Sequence, residues 1–124
     1  INTNFKKQSK DSLPCDFLGI IPSPQIDGYR NKSEFAIGRN SNNEIIVGFR
    51  LGSYSDGSTE VGEITNLPHI PDKVKKCVYK FQEFVRKSKF LPFNPEQNSG
   101  HFRQLMVRYS SVSEEIMIVP GIRT

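Results

Sequence analysis

The chain has 124 residues, of which 35% are hydrophobic and 24% charged, with 9 Gly, 8 Pro and a net charge of +4. That length suits one domain and cramps two, and the composition excludes collagen-like and coiled-coil classes. No stretch approaches the ~18 apolar residues of a membrane span, and Cys15 and Cys77 are too few for a disulfide framework or a four-ligand zinc site. The expectation is therefore two thiols in a reducing compartment, and a soluble intracellular protein of the cytoplasm or nucleus with no membrane partner. Nothing in the sequence sets an oligomeric state.

Charge is unevenly spread. Residues 72 to 91 hold seven Lys or Arg against Asp72 and Glu83, whereas residues 14 to 71 hold four cations against seven anions. A basic segment of this kind steers polyanions, although its commoner origin is a solvated helix face.

In chain order, residues 1 to 13 are mostly polar and read as a flexible tail or linker remnant. The body starts at residue 14, where prolines at 22 and 24 of "IIPSPQIDG" favour extended chain over a central strand. From Tyr29 the pattern alternates. Tyr29, Ser33, Phe35 and Ile37 are expected to face inward, and Arg30, Lys32, Glu34 and Ala36 outward. After turn chemistry at "RNSNN", a second strand places Ile45, Val47, Phe49 and Leu51 on one face with Gly48 and Arg50 opposite, which predicts an antiparallel hairpin. "SDG" turns the chain again before a weaker strand in "STEVGEI".

The period then changes. Val74, Cys77, Val78, Phe81, Phe84 and Val85 fall at helical spacing, with Pro71 and Asp72 marking the start and the end expected near Lys87. "FLPFNPEQNSG" reads as a loop, and "HFRQLMVRYS" and "EEIMIV" as two closing strands. The order predicts an α+β fold, a mainly antiparallel sheet covered on one face by one main helix, with the body spanning 14–119 and a short tail at 120–124.

Enzyme signatures are sparse. There is no Gly-rich phosphate loop, no G-x-S-x-G elbow and no His pair at metal-ligand spacing. His69 beside the helix start reads as a cap or an exposed residue, Cys77 as a small core hydrophobe, and Cys15 next to Asp16 as a poor nucleophile. No catalytic or metal-binding residue is predicted.

What remains is the outer sheet face, where alternation groups Arg30, Lys32 and Glu34 with Arg50, and on a later strand Phe102, Gln104 and Arg108. Such a face can hold RNA. Arg and Lys take phosphates, an aromatic ring stacks on an unpaired base, and Glu or Gln bonds a base edge. The alternative on composition alone is a solvated face with cross-strand ion pairs.

"PSPQIDGYRNKSEFAIG", "VGFRLGSY", "HIPDKVKKCVYKFQEFVRKS" and "FNPEQNSGHFRQLMVRYS" closely resemble consecutive segments of the eukaryotic tRNA (uracil-5-)-methyltransferase family, from about Cys15 to Val119. The resemblance implies a central, RNA-holding domain that precedes an S-adenosylmethionine-binding domain. In that family a cysteine attacks carbon 6 of a flipped-out uracil, carbon 5 takes the methyl group and an acidic base removes the carbon 5 proton. Those residues lie further along the family's chain, so no cofactor is expected in this chain, which is predicted inactive alone. The family's strand pattern lands on Tyr29, Arg30, Lys32, Glu34 and Phe35, with Glu34 near the target base. The final "PGIRT" departs from the pattern. The implied partner is a tRNA T-arm or similar RNA; the polar strand face and the resemblance together put Arg30, Lys32, Arg50, Arg103 and Arg108 on the backbone and Glu34 and Phe102 on bases, with Gln104 also among the RNA-binding residues. The other reading is a truncated, non-catalytic RNA-binding or protein-interaction module.

Overall fold

A computed structural model describes residues 14–124, so the predicted tail at 1–13 lies outside the described residues. Five strands, β1 (Lys32–Arg39), β2 (Ile45–Arg50), β3 (Val61–Gly62), β4 (Phe102–Tyr109) and β5 (Ile116–Ile122), form one sheet in the order β3-β2-β1-β4-β5. Each neighbouring pair is antiparallel. One α-helix, α1 (Asp72–Lys87), covers one face. The α+β architecture expected from the alternating patterns is the one observed.

The β1–β2 hairpin forms because Asn40 organises its own turn. Its side-chain oxygen accepts from the Asn42 and Glu44 amides at 3.0 and 2.9 Å, and Asn43 takes a left-handed φ of 64°, which Asn tolerates well. Inner positions Phe35 and Ile37 on β1, Val47 on β2, and Leu105 and Val107 on β4 are buried against Val74, Val78, Phe81 and Val85 of α1. Helical spacing thus meets strand alternation across one core. Phe84, at the same spacing, stays 58% exposed, and Cys77 is only half buried. Cys77 is therefore not a core residue.

The helix starts after Pro71, whose extended ψ of 143° makes it the flanking residue rather than the first helical one, and it ends at Lys87 as its period predicts. Ser88 closes it by donating its amide to the Phe84 and Val85 carbonyls.

β3 is short and pairs with β2 only at Phe49 and Arg50. Where it does not reach, α1 supplies the partners: the Val47 amide donates to Gln82 Oε1 at 3.0 Å, and Arg86 Nε donates to the Ile45 carbonyl at 2.9 Å. Gln82 and Arg86 lie one helical turn apart, so one helix face satisfies a strand edge. The strands β2 and β3 also approach closely at Gly48, where an added Cβ would lie 1.9 Å from the Gly62 carbonyl oxygen.

Two inward expectations are corrected. Tyr29 is 56% exposed, because the strand begins at Lys32 and the Gly28 and Arg30 amides are instead held by the Pro68 and His69 carbonyls. Leu51 is 64% exposed because β2 ends at Arg50 and the chain bends away. At the other end, β5 continues to Ile122, so residues 120–122, read from sequence as the start of a tail, are strand.

Candidate nucleic-acid interface

The outer face of the sheet is built from residues that register places side by side. Lys32 pairs with Arg108, which pairs with Met117; Glu34 pairs with Met106, which pairs with Val119. In the next row Gly48, Ala36, Gln104 and Gly121 lie side by side across four strands. Small residues in this row let the larger side chains around it form walls.

A cleft of about 230 Å³ is lined by Glu34, Phe35, Ala36, Arg50, Arg103 and Gln104. Four of the sequence-predicted residues thus converge on one depression. Arg50, on β2, donates to the Thr59 carbonyl at 3.4 Å, outside this cleft. Arg103 packs its guanidinium over the Phe93 ring, 5.4 Å from the centroid, and Arg123 lies over the same ring at 5.6 Å. Phe93 therefore sits between two cations and fixes the wall that Arg103 provides. Sequence reading left Phe93 in a loop and missed this; the signal available was an aromatic held between Pro92 and Pro95.

Lys32 and Arg108 stand directly opposite each other, and like charges in that relation oppose strand pairing. Lys32 leans along its own strand to Glu34, with Nζ 3.0 Å from the carboxylate and both side chains largely exposed. Arg108 lines a second open depression with Asn31, Tyr109 and Met117. Arg30 lies just before the strand, where its Nε donates to the Lys32 carbonyl at 2.9 Å. The result is a run of cations, Arg30, Lys32 and Arg108, that continues past Glu34 to Arg103 and Arg50.

Phe102 is not part of this face. It is 7% exposed and packs edge-on against Phe81 and Phe84 at ring distances of 6.1 Å. Strict alternation would put Phe102 and Gln104 on one side, but the register slips between them, and one extra residue in a strand exchanges the two faces. That irregularity turns Phe102 into the core and leaves both Arg103 and Gln104 exposed on the outside. Met106, absent from the sequence reading, takes the half-buried place beside Glu34.

The histidines lie elsewhere. His69 is half buried near the Tyr29 ring, and the His101 ring lies 4.5 Å from that of Phe90. Among the described residues no group of three or more His, Cys, Asp or Glu could hold a metal ion, and no helix is long and apolar enough to cross a membrane.

Sequence comparison relates this chain to enzymes that modify tRNA. It is 38% identical over 115 residues to the tRNA (uracil-5-)-methyltransferase homolog A of Mus musculus, a match covering 92% of this chain and 19% of that protein. The human homolog A is 42% identical over 97 residues, or 77% of this chain and 16% of the relative. The chain is similar, along most of its own length, to members of the tRNA (uracil-5-)-methyltransferase family, and it spans less than a fifth of the length of these two relatives. The fold also matches a crystal structure of the Pyrococcus abyssi tRNA (uracil-54, C5)-methyltransferase in complex with S-adenosyl-L-homocysteine. The TM-score is 0.66 at 23% identity, over 85% of this chain and 24% of that one. No family model matches.

Every strand pair among the described residues is antiparallel, so they form no open parallel α/β sheet, the kind whose carboxyl-end crevice holds a nucleotide-like cofactor.

Proposed function

We propose that this chain is the RNA-gripping segment of a tRNA (uracil-5-)-methyltransferase that forms 5-methyluridine in the T-loop. Arg30, Lys32 and Arg108 take phosphates, and the cleft of Glu34, Arg50, Arg103 and Gln104 receives a nucleotide. The observation that carries this reading is the in-register pair of Lys32 and Arg108 beside that cleft. Two cations placed opposite each other cost strand stability, and a phosphate lying between them reverses the sign of that interaction. Within the cleft the two arginines contact backbone or stack on a base, while Glu34 and Gln104 offer acceptor and donor groups to a base edge. The likeness to tRNA (uracil-5-)-methyltransferases supports RNA as the polyanion. Methyl transfer itself is assigned to no residue described above.

The test is binding of the 124-residue chain to a T-arm hairpin across a range of salt concentrations. Lys32→Ala and Arg108→Ala should each weaken binding and each lower the salt slope by about 0.7 to 0.9. Unchanged affinity and slope in both variants would remove the assignment. Glu34→Gln should preserve the slope while altering preference among hairpins that differ at one unpaired base.

A further inference from the structure

One helix, about 10 to 12 Å across, covers roughly two strands spaced ~4.8 Å apart. Here α1 lies over the β2, β1 and β4 part of the sheet, and β5 is left over. Its inner side chains Ile116, Ile118 and Ile122, in register with Tyr109, Val107 and Phe102, are 37%, 43% and 61% exposed. On its other face Met117 and Val119 are also about half exposed. Edge strands are normally blunted by charge, yet β5 carries none from Ile116 to Ile122. Pro120 is its one edge device.

Between β5 and the near side of α1 runs a groove of about 530 Å³ with Cys77, Phe81, Phe84, Ile116 and Ile118 along it and Lys73, Lys76 and Lys80 on its rim. Burial pushes the Cys77 thiol up, with Lys80 opposing, so it presents a neutral S–H that adds to the apolar lining. Lys73 is already engaged, 2.6 Å from Glu114. Among the described residues Lys76 and Lys80 make no ion pair.

We propose that this groove is the docking site for an amphipathic helix of a partner segment, its apolar stripe on Phe84, Ile116 and Ile118 and acidic residues on its flank against Lys76 and Lys80. A second helix is what the uncovered half of the sheet lacks, and the rim sets the sign of its charge. A second copy of this chain fits poorly, since a two-fold contact through this groove sets lysines of one copy against those of the other. Residues 1 to 13 carry three Lys against one Asp, the same sign as the rim. RNA gains little from an apolar floor, and the cationic outer face lies on the other side of the sheet. The inference rests on no assumption about RNA.

The test uses the whole 124-residue chain with labelled isoleucine methyls and a synthetic helical peptide of about five turns, ~18 residues, with a Leu stripe and Glu flanks. A Lys-flanked counterpart serves as its control. The Glu peptide should shift the Ile116 and Ile118 methyl resonances. Its affinity should fall at least about tenfold in the Lys76→Glu, Lys80→Glu double variant, which should instead accept the Lys peptide. Both substitutions are on exposed positions and spare the Lys73 and Glu114 pair. Four results would each overturn the proposal: equal binding of the two peptides, unchanged affinity in the double variant, self-association of the chain that moves the same methyls, or T-arm RNA moving them in place of the peptide.

Discussion

Phe102 and Gln104 stand two positions apart on one strand and serve opposite faces, which makes them the most informative pair of side chains in the molecule. Because Phe102 is a core residue edge-on to Phe81 and Phe84, Phe102→Ala should cost about 3 to 5 kcal/mol in urea unfolding. Phe102→Leu should cost far less while leaving the RNA affinity of the folded fraction unchanged. A loss of RNA binding in a stable Phe102→Leu protein would contradict its place in the core. Gln82 gives a second case, since its buried side chain takes the Val47 amide where β3 is too short to do so. Gln82→Met keeps the volume and orphans that amide, at an expected cost of about 1 to 3 kcal/mol by the same measurement. Neither role is written in residue type alone. An aromatic in an alternating strand reads the same whether the backbone slips by one residue or not, and a helix glutamine reads as surface until a neighbouring strand proves too short.

At the scale of elements, much was legible because periodicity carries it. The change from period two to period 3.6 after Pro71 gave the helix and its end at Lys87, and the asparagine-rich turn gave the β1–β2 hairpin. What was illegible was backbone irregularity. The β4 slip occurs at Arg103, which has none of the glycine signature that would mark it, and the capture of residues 28 and 30 by carbonyls 68 and 69 depends on contacts distant in sequence. The same loss of local signal cost the site reading Phe102 while leaving Glu34, Arg50, Arg103 and Gln104 together. Gly100 holds the loop before β4 at φ +100°, and a Cβ there would lie 2.2 Å from the Pro92 carbonyl oxygen. Gly100→Ala should therefore cost about 2 to 4 kcal/mol and loosen the Pro92 and Phe102 bridge, measurable as faster amide exchange at Phe93. The Lys73 and Glu114 pair ties α1 to the β4–β5 turn and sets a pH signature. The hydrogen bond from Lys73 holds the Glu114 carboxyl below its ordinary range, so its contribution is present above that range and lost as pH falls through the lowered value. The same bond raises Lys73, whose contribution is present below the ordinary lysine range and lost as pH rises through the raised value. Glu114→Gln should flatten both limbs of the unfolding midpoint against pH. The difference from the parent chain should be small and shrink in high salt, because both groups are solvent-exposed.

At the scale of the whole molecule, the sheet separates two kinds of cation. Those of the outer face, Lys32 and Arg108 among them, stand in register across strands, whereas the lysines of α1 line the far side around an apolar groove. The division predicts that neutralising Lys76 and Lys80 leaves the salt slope for T-arm RNA unchanged while neutralising Lys32 and Arg108 lowers it. It also predicts a conflict between stability and binding within the outer face. Arg108 opposes Lys32 in the free protein, so Arg108→Thr removes a like-charge cross-strand pair and places a good strand former on β4. The variant should be more stable than its parent by a few tenths to about 0.5 kcal/mol in urea at low salt, and the gain should fade as salt screens the repulsion. Its affinity for T-arm RNA should fall over the same salt range. A residue that lowers stability and raises affinity is placed for its ligand, whereas an Arg108→Thr protein that is less stable and binds RNA unchanged would show that Arg108 serves the sheet alone.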